Sequence, residues 1–315
     1  MKALITGIAG FAGSHLAENL LAHDIKVCGT ALKGESLKNL KGVKADISLV
    51  RASLDDVTTL SRFITSNKPN LIFHLAALAS VGQSFSAPEK TMAVNLLGTL
   101  KLYELLRGRK YVENIVFVSS ADIFGPLSPT KMPIKPDYPL RPVSPYGASK
   151  AAADLVSYQY YCAFGLPIVR VRAFNHTGPR QQTGFVIPDF CSQIAAIESG
   201  KGHGIIRVGD LSARRDLADV RDIVNGYRLA SQRGRAGESY ILASGKADKI
   251  SSYLKILINH SPADIKIKTD RKLLRPVEVP LLVGSISKAK RQLGFKPRIK
   301  IEKTLLDTLE YWRRN

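Results

Sequence analysis

The run Ala3-Leu4-Ile5-Thr6-Gly7-Ile8-Ala9-Gly10-Phe11-Ala12-Gly13 decides the fold class. A short apolar strand leads into a turn of three glycines in GxxGxxG spacing. Leu16, Leu20 and Leu21 then recur at helical intervals over Gly13 to Ala22. Glycines at such a corner permit a tight turn and let the backbone approach a pyrophosphate closely. The helix that follows presents its partial positive end to the phosphates. Three glycines could serve packing alone, but their place between a first strand and a first helix favours a dinucleotide. Gly7, Gly10, Phe11, Ala12 and Gly13 are therefore candidate cofactor contacts.

Outward from this turn, strand and helix patterns alternate. Strands are expected at Ile25 to Thr30, Leu71 to Leu75, Ile115 to Ser119 and Pro167 to Arg172. Helices are expected at Ser53 to Ser66, Pro88 to Arg107 and Pro145 to Phe164. Repeated strand–helix–strand units imply an α/β fold, a Rossmann-type doubly wound parallel sheet covered on both faces. After Phe174 the pattern loosens into loops rich in Gly, Pro, Arg and Gln. This predicts a smaller α/β substrate-binding domain from about 174–213 and 244–315. The dinucleotide-binding domain would be 1–173 with a returning segment near 214–243.

Composition excludes several classes. Hydrophobic residues make up 45% of the 315, enough for a sizeable core and too many for a disordered chain. No apolar run reaches the length of a membrane span, and the first residues do not read as a signal peptide. The three cysteines, Cys28, Cys162 and Cys191, have no CxxC spacing, so neither a disulfide framework nor a metal site is expected. A cytoplasmic protein fits. The formal charge of +20 is abnormal and calls for an anionic partner. The last residues, Lys288 to Asn315, hold nine basic and three acidic side chains. No aromatic platform is interleaved with basic residues, so nucleic acid is not the expected partner.

The second strand bears on the cofactor. It ends Cys28-Gly29-Thr30-Ala31-Leu32-Lys33, with no carboxylate for a ribose 2′-hydroxyl. Lys33 would tolerate a 2′-phosphate, which favours NADP(H) and leaves NAD(H) open. An ordinary solvated lysine reads nearly as well there. By position, Asp46 and Ile47 would lie at the adenine edge.

Chemistry concentrates at Ser144-Pro145-Tyr146-Gly147-Ala148-Ser149-Lys150. Ser144 suits an N-cap and Pro145 a first helical position. Tyr146 and Lys150 then share a helix face. A phenol beside an ammonium is expected to have a lowered pKa and to move protons to or from a carbonyl or alkoxide.

A lone YxxxK pair is weak, but here it closes an ordered series. The glycine turn, His74-Leu75-Ala76-Ala77, Val94-Asn95-Leu96-Leu97-Gly98-Thr99, Ser119-Ser120-Ala121-Asp122 and Tyr146/Lys150 follow one another. Together they resemble the extended short-chain dehydrogenase/reductases that act on nucleotide sugars. The resemblance implies cofactor contacts at Leu75, Ala76, Ala77, Asn95, Tyr146 and Lys150. It implies Ser120 on the substrate carbonyl oxygen, Tyr146 as acid/base and Lys150 as its partner.

Later segments, Asn175-His176-Thr177-Gly178-Pro179-Arg180, Gly184-Phe185-Val186, Arg214-Arg215-Asp216 and Arg275-Pro276-Val277-Glu278, resemble the GDP-sugar branch. By that resemblance Asn175 and Val186 contact the sugar nucleotide. Arg215 and Arg275 grip the diphosphate, and Glu278 takes ribose hydroxyls. The branch holds 4-keto reductases and 4,6-dehydratases. Dehydratases place Thr-Asp-Glu or Thr-Ser-Glu where this chain has Ser120-Ala121-Asp122. Ala121 can do no proton chemistry, which favours the reductase, while Asp122 keeps the dehydratase open. A 4-epimerase and a non-catalytic binding module are the remaining alternatives. Family members usually pair through the helices at Pro88–Arg107 and Pro145–Phe164, so a homodimer with a four-helix bundle is expected.

Overall fold

The structure is a computed structural model that describes residues 1–274 and 279–315. The chain opens with β1 (Lys2–Thr6), α1 (Phe11–Leu21), β2 (Lys26–Ala31), β3 (Ile47–Arg51), α2 (Val57–Asn67) and β4 (Leu71–His74). Next come α3 (Val81–Ser86), α4 (Pro88–Met92), α5 (Gly98–Leu106), β5 (Asn114–Ser120), α6 (Pro145–Phe164) and β6 (Ile168–Ala173). The second half comprises β7 (Asn175–Thr177), α7 (Val186–Glu198), β8 (Ile205–Val208), β9 (Arg214–Asp219), α8 (Val220–Arg233) and β10 (Ser239–Leu242). It closes with β11 (Ala247–Lys249), α9 (Ile250–Asn259), β12 (Lys266–Thr269), β13 (Leu281–Leu282), α10 (Ser287–Leu293) and α11 (Ile301–Arg313).

Seven strands form one parallel sheet in the order β10-β6-β5-β4-β1-β2-β3. Strand order reverses between β1 and β4. In such sheets a ligand crevice opens there, beyond the carboxyl ends of the strands. The central strands carry unbroken apolar runs because helices cover both faces: Ile115, Val116 and Phe117 of β5 are fully buried. The edge strand β3 was not expected. Its residues are only half-buried and Ser48 is exposed, so it lacks the continuous apolar signature. Counting it as loop also placed the following helix four residues early; Asp56 caps α2 through the Thr59 amide.

α6 follows its sequence signals closely. The Ser144 hydroxyl accepts from the Gly147 amide at 3.0 Å, Pro145 opens the helix, and Gly165 ends it at φ 67°. The helix expected from Pro88 is not uniform. A π-helical turn, Ala93–Leu97, separates α4 from α5 and carries Asn95. Such turns often accompany functional sites.

The smaller part is built on β11-β9-β13, with β7 beside β9, and on the pair β12-β8. α7, α9 and α11 share a separate apolar core that includes Phe190, Ile194, Leu254, Leu257, Leu305 and Leu309. Between these pieces the chain returns to the large sheet: α8 packs Val220, Ile223 and Tyr227 into the same core as Leu16 and Leu20 of α1. Among the described residues no helix is long and apolar enough to cross a membrane. Among them, too, no His/Cys/Asp/Glu cluster could hold a metal ion.

Candidate active site

The glycine turn is locked from below. Gly7 sits at φ 71°, and a Cβ there would lie 3.1 Å from the Ala76 backbone. A Cβ on Gly13 would lie 2.3 Å from the Gly7 carbonyl oxygen. The Thr6 hydroxyl accepts from the amides of Leu75 (3.2 Å) and Ala76 (3.1 Å) and meets His74 Nδ1 at 2.8 Å. Thr99 donates its hydroxyl to the Asn95 carbonyl and lies 2.9 Å from His74 Nε2. The proton of His74 is therefore assigned to Nε2, with Thr6 donating to Nδ1. Burial, reinforced by the Lys150 charge, lowers the His74 pKa to about 3, so this histidine is a neutral strut. Gly10 caps α1 without a side chain. The donor set at the first turn, at Phe11, Ala12 and Gly13, suits a pyrophosphate.

At the end of β2, Lys33 is exposed. Two further residues in this corner were missed from sequence. Glu35 accepts from the Leu32 amide at 2.8 Å, and Arg51 donates to the carbonyls of Leu32 (2.8 Å) and Glu35 (2.6 Å). The expectation for Asp46 and Ile47 fails here. Parallel register sets Ile47 level with Val27, at the amino end of the sheet, whereas Arg51 is level with Ala31 beside the crevice. The cause is the unrecognised strand β3; the residues that leave its carboxyl end are Ala52, Ser53 and Leu54.

Ser120 ends β5 next to the crevice and is nearly buried. Its hydroxyl donates to Asp122 Oδ2 at 3.1 Å and accepts from the Asp122 amide at 3.2 Å. Tyr146 stands in the first turn of α6 and is half-buried. Its amide donates to the Ser84 hydroxyl at 3.1 Å. Burial and the Asp122 carboxylate push the Tyr146 phenol well above its ordinary pKa, and the Ser120 hydroxyl offsets this only in part. The acidified phenol expected from the Tyr146/Lys150 spacing is thus not what the chain alone presents. Tyr146 is a neutral phenol held beside a hydroxyl and a carboxylate.

Lys150 is buried, with Nζ 4.7 Å from the Phe117 ring centroid. Burial lowers its pKa to about 8, and Asp154 one turn further along α6 pulls it back up. Asn95 does not face the crevice as a lone ligand. Its carbonyl oxygen accepts from the Leu78 amide (2.8 Å), and its amide donates to the Leu78 carbonyl (3.1 Å) and the Ser149 hydroxyl (2.9 Å). Ser149 in turn donates to the Tyr146 carbonyl at 2.7 Å. Asn95 therefore ties the loop after Ala77 to the helix that carries Tyr146.

On the far side, Asn175 is exposed at the start of β7 and Val186 is exposed at the start of α7. Arg215 is half-buried on β9, with Nη1 donating to the carbonyls of Arg214 (3.1 Å) and Val279 (2.5 Å). Arg275 and Glu278, expected on the diphosphate and the ribose, lie outside the described residues.

The sequence profile of the family described as GDP-mannose 4,6 dehydratase matches residues 4–308. The chain belongs to that family. Within it and around it, the relatives differ in activity. The GDP-6-deoxy-D-mannose reductase of Pseudomonas aeruginosa is 30% identical over 312 residues, 99% of this chain and 97% of that protein. GDP-mannose 4,6 dehydratase 2 of Arabidopsis thaliana is 32% identical over 322 residues, 96% of this chain and 84% of that one. Among solved structures, RMD from Pseudomonas aeruginosa complexed with NADPH superposes with TM-score 0.85 at 28% identity, covering 99% of each chain. UDP-glucose 4-epimerase of Thermus thermophilus complexed with NAD gives TM-score 0.88 at 28% identity, also over 99% of each.

For this member of the GDP-mannose 4,6 dehydratase family, two more residues escaped the sequence reading. Asp216, wholly buried, accepts from the Ser244 amide (2.7 Å) and hydroxyl (2.6 Å) and from the amides of Gly245 (2.9 Å) and Gly284 (3.2 Å). It fastens the strand that carries Arg215 to the end of β10. Arg180 bonds to His15 and Glu18 of α1 and to the Asn39 carbonyl. In sequence Asp216 reads as one charge in a charged run, because its partners lie 28 to 68 residues away.

Proposed function

We propose that the chain reduces the C4 ketone of a GDP-4-keto-6-deoxyhexose to a GDP-6-deoxyhexose, with NADPH favoured over NADH. The observation that carries this reading is the full-length similarity to GDP-6-deoxy-D-mannose reductase, joined to Ala121 between Ser120 and Asp122. Ala121 is buried against Ile123, Phe124 and Ile134, so no proton-transfer group occupies that position.

When bound, the reduced nicotinamide supplies the hydride; the residues below manage the proton and the charge. Tyr146, a neutral phenol, donates its proton to the oxygen that becomes the alkoxide. Ser120 turns its hydroxyl from Asp122 to hydrogen-bond the same oxygen. Lys150 holds positive charge beneath the site and stabilises the phenolate left behind. Arg215, with Arg275, binds the diphosphate, Asn175 and Val186 line the sugar side, and Glu278 accepts from ribose hydroxyls. Incubation of the purified chain with NADPH and GDP-4-keto-6-deoxymannose tests the reading: stoichiometric NADPH oxidation is expected.

A second reading is a 4,6-dehydratase, favoured by one observation. The Asp122 carboxylate lies 3.1 Å from Ser120 and its charge is felt by Tyr146, as an additional acid/base would require. GDP-mannose alone would then yield the 4-keto product with no net use of cofactor.

The same reading includes a homodimer. Leu155, Tyr158 and Phe164 of α6 stay exposed at 59%, 48% and 45%, with Leu97 beside α5 at 49%. These side chains suit a bundle formed with the same helices of a second copy. Elution at twice the chain mass at micromolar concentration is expected.

A further inference from the structure

We propose that Arg180 is a positioning residue that couples the dinucleotide turn to the nucleotide-sugar loop, so that each ligand tightens the other through this guanidinium. The inference rests on the two ligand classes proposed above. Arg180 closes the segment that starts at Asn175, and its backbone adopts φ 75°, a region that side-chain-bearing residues seldom occupy. What holds it there is its side chain. Nη1 and Nη2 form a fork on Glu18, each at 2.7 Å. Nη1 also donates to the Asn39 carbonyl (3.0 Å), and Nη2 to His15 Nδ1 (2.6 Å).

A guanidinium has only donors, so His15 Nδ1 accepts and its proton sits on Nε2. That proton is donated to the Pro179 carbonyl at 2.9 Å, beside Arg180. Burial, aided by the Arg180 charge, lowers the His15 pKa to about 4, which keeps this tautomer in place at neutral pH.

The clasp reaches both ligand regions without being part of either. Asn39 donates its side-chain amide to the Ala9 carbonyl inside the glycine turn at 3.1 Å. Phe11, the first residue of α1, stacks on His176 with centroids 6.0 Å apart and stands edge-on to His15 at 5.6 Å. His176 belongs to β7, whose register on β9 sets Asn175 opposite Leu217. Arg215 lies two residues upstream on that strand. Two routes thus join the glycine turn to the segment of Asn175: Ala9–Asn39–Arg180, whose own backbone continues that segment, and the Phe11–His176 stack, which Arg180 braces through His15. A ligand that orders either end orders the other, and the coupling is reciprocal. Lysine cannot replace the fork, because one ammonium does not span carboxylate, imidazole and carbonyl in a plane.

The test is a fluorescence titration of NADPH into the full chain, with and without saturating GDP. In the unaltered chain GDP should lower the NADPH Kd by about fivefold or more. In Arg180→Lys and Arg180→Gln that ratio should fall near one. A fold staple would instead lower Tm and leave the ratio unchanged in the folded fraction. Glu18→Gln, which keeps the His15 and Asn39 bonds, should give an intermediate ratio and serves if the Arg180 variants do not fold. A ratio of one in the unaltered chain, or an undiminished ratio in folded Arg180 variants, overturns the proposal, as does an undiminished ratio in Glu18→Gln when those variants are unfolded. Absence of NADPH or GDP binding to the unaltered chain overturns the functional reading itself and, with it, this one.

Discussion

Asp154 under the large sheet's Lys150 and Asp216 in the smaller part are both completely buried, and these two are held by opposite means. Asp154, on α6 beneath Lys150, meets Arg170 Nη1 at 2.9 Å and Arg172 Nη2 at 2.8 Å. Burial alone would raise its carboxyl, but Arg172 and Arg170 outweigh burial and hold it below the usual range. Asp216, under Arg215, has only a hydroxyl and three backbone amides as bond partners among the described residues, and burial wins: its carboxyl is pushed up. In the half proposed to do chemistry, charge neutralises charge and fixes the field around Lys150. At Asp216, in the half proposed to grip substrate, neutral dipoles fasten strands together. Acid should therefore act on them in opposite directions. Stability from Asp154 is present above an ordinary aspartate pKa and is lost as pH falls through its lowered value. Asp216 favours the folded state when protonated, and that contribution fades as pH rises through its raised value.

Substitution of Tyr146 by Phe probes this division most strongly. It removes the proposed proton donor and leaves the strands proposed to grip substrate intact. The rate of NADPH oxidation with the keto-sugar should fall by about 10²–10⁴-fold. The GDP affinity, measured by calorimetry, should stay within about twofold. A comparable loss of GDP affinity would mean that the two halves do not divide chemistry and binding.

The two aspartates come next. Asp154→Ala strands two buried guanidinium groups and should cost about 3–5 kcal/mol in denaturant unfolding. Asp216→Ala strands amides and a hydroxyl and should cost less, about 1–3 kcal/mol. It should also raise KM for the nucleotide sugar while NADPH affinity holds. Equal losses, or a loss of NADPH affinity in Asp216→Ala, would break the contrast.

The Lys150 ammonium offers a third probe. Its pKa is lowered to about 8, and in the proposed reaction it must be charged to stabilise the phenolate, so the sign is fixed. The charged form is lost as pH rises. kcat/KM should be level below about pH 8 and fall about tenfold per unit above it. A flat profile to pH 10 would show that Asp154 raises the lysine far more than burial lowers it.

How much of this was legible in the sequence follows from the same contrast. The large sheet announces itself because its signals are local: apolar runs for strands buried on both faces, Ser144-Pro145 to open α6, Gly165 to end it. Ser120, Tyr146 and Lys150 could be placed because strand ends and helix spacing fix them. β3 was missed since an edge strand needs only one half-buried face, and that omission carried Asp46 and Ile47 to the wrong end of the sheet. Asn95 could be picked out by its motif, but its bonds to Leu78 and Ser149 depend on a π-helical turn that spacing does not reveal. Asp216 and Arg180 were invisible for a different reason. Their partners are distant in sequence, and an Arg–Arg–Asp run or a Pro–Arg pair reads as solvated charge.

The smallest expected effect tests the corner where the sequence argued for a phosphate and the structure adds a carboxylate. Lys33 is exposed at the end of β2, while Glu35 closes the same turn on the Leu32 amide and Arg51 braces it from β3. Arg51 commits Nη1 to two carbonyls, and the exposed Lys33 is the residue proposed to discriminate between NADPH and NADH. A solvated charge of this kind contributes about 1 kcal/mol or less. Lys33→Ala should therefore weaken NADPH by roughly fivefold at most and leave NADH unchanged, with the difference shrinking as salt is raised. If NADPH affinity does not move, the preference comes from elsewhere in the crevice. If NADH tightens as well, Lys33 was masking Glu35, and that carboxylate is the ribose ligand absent from the end of β2 itself.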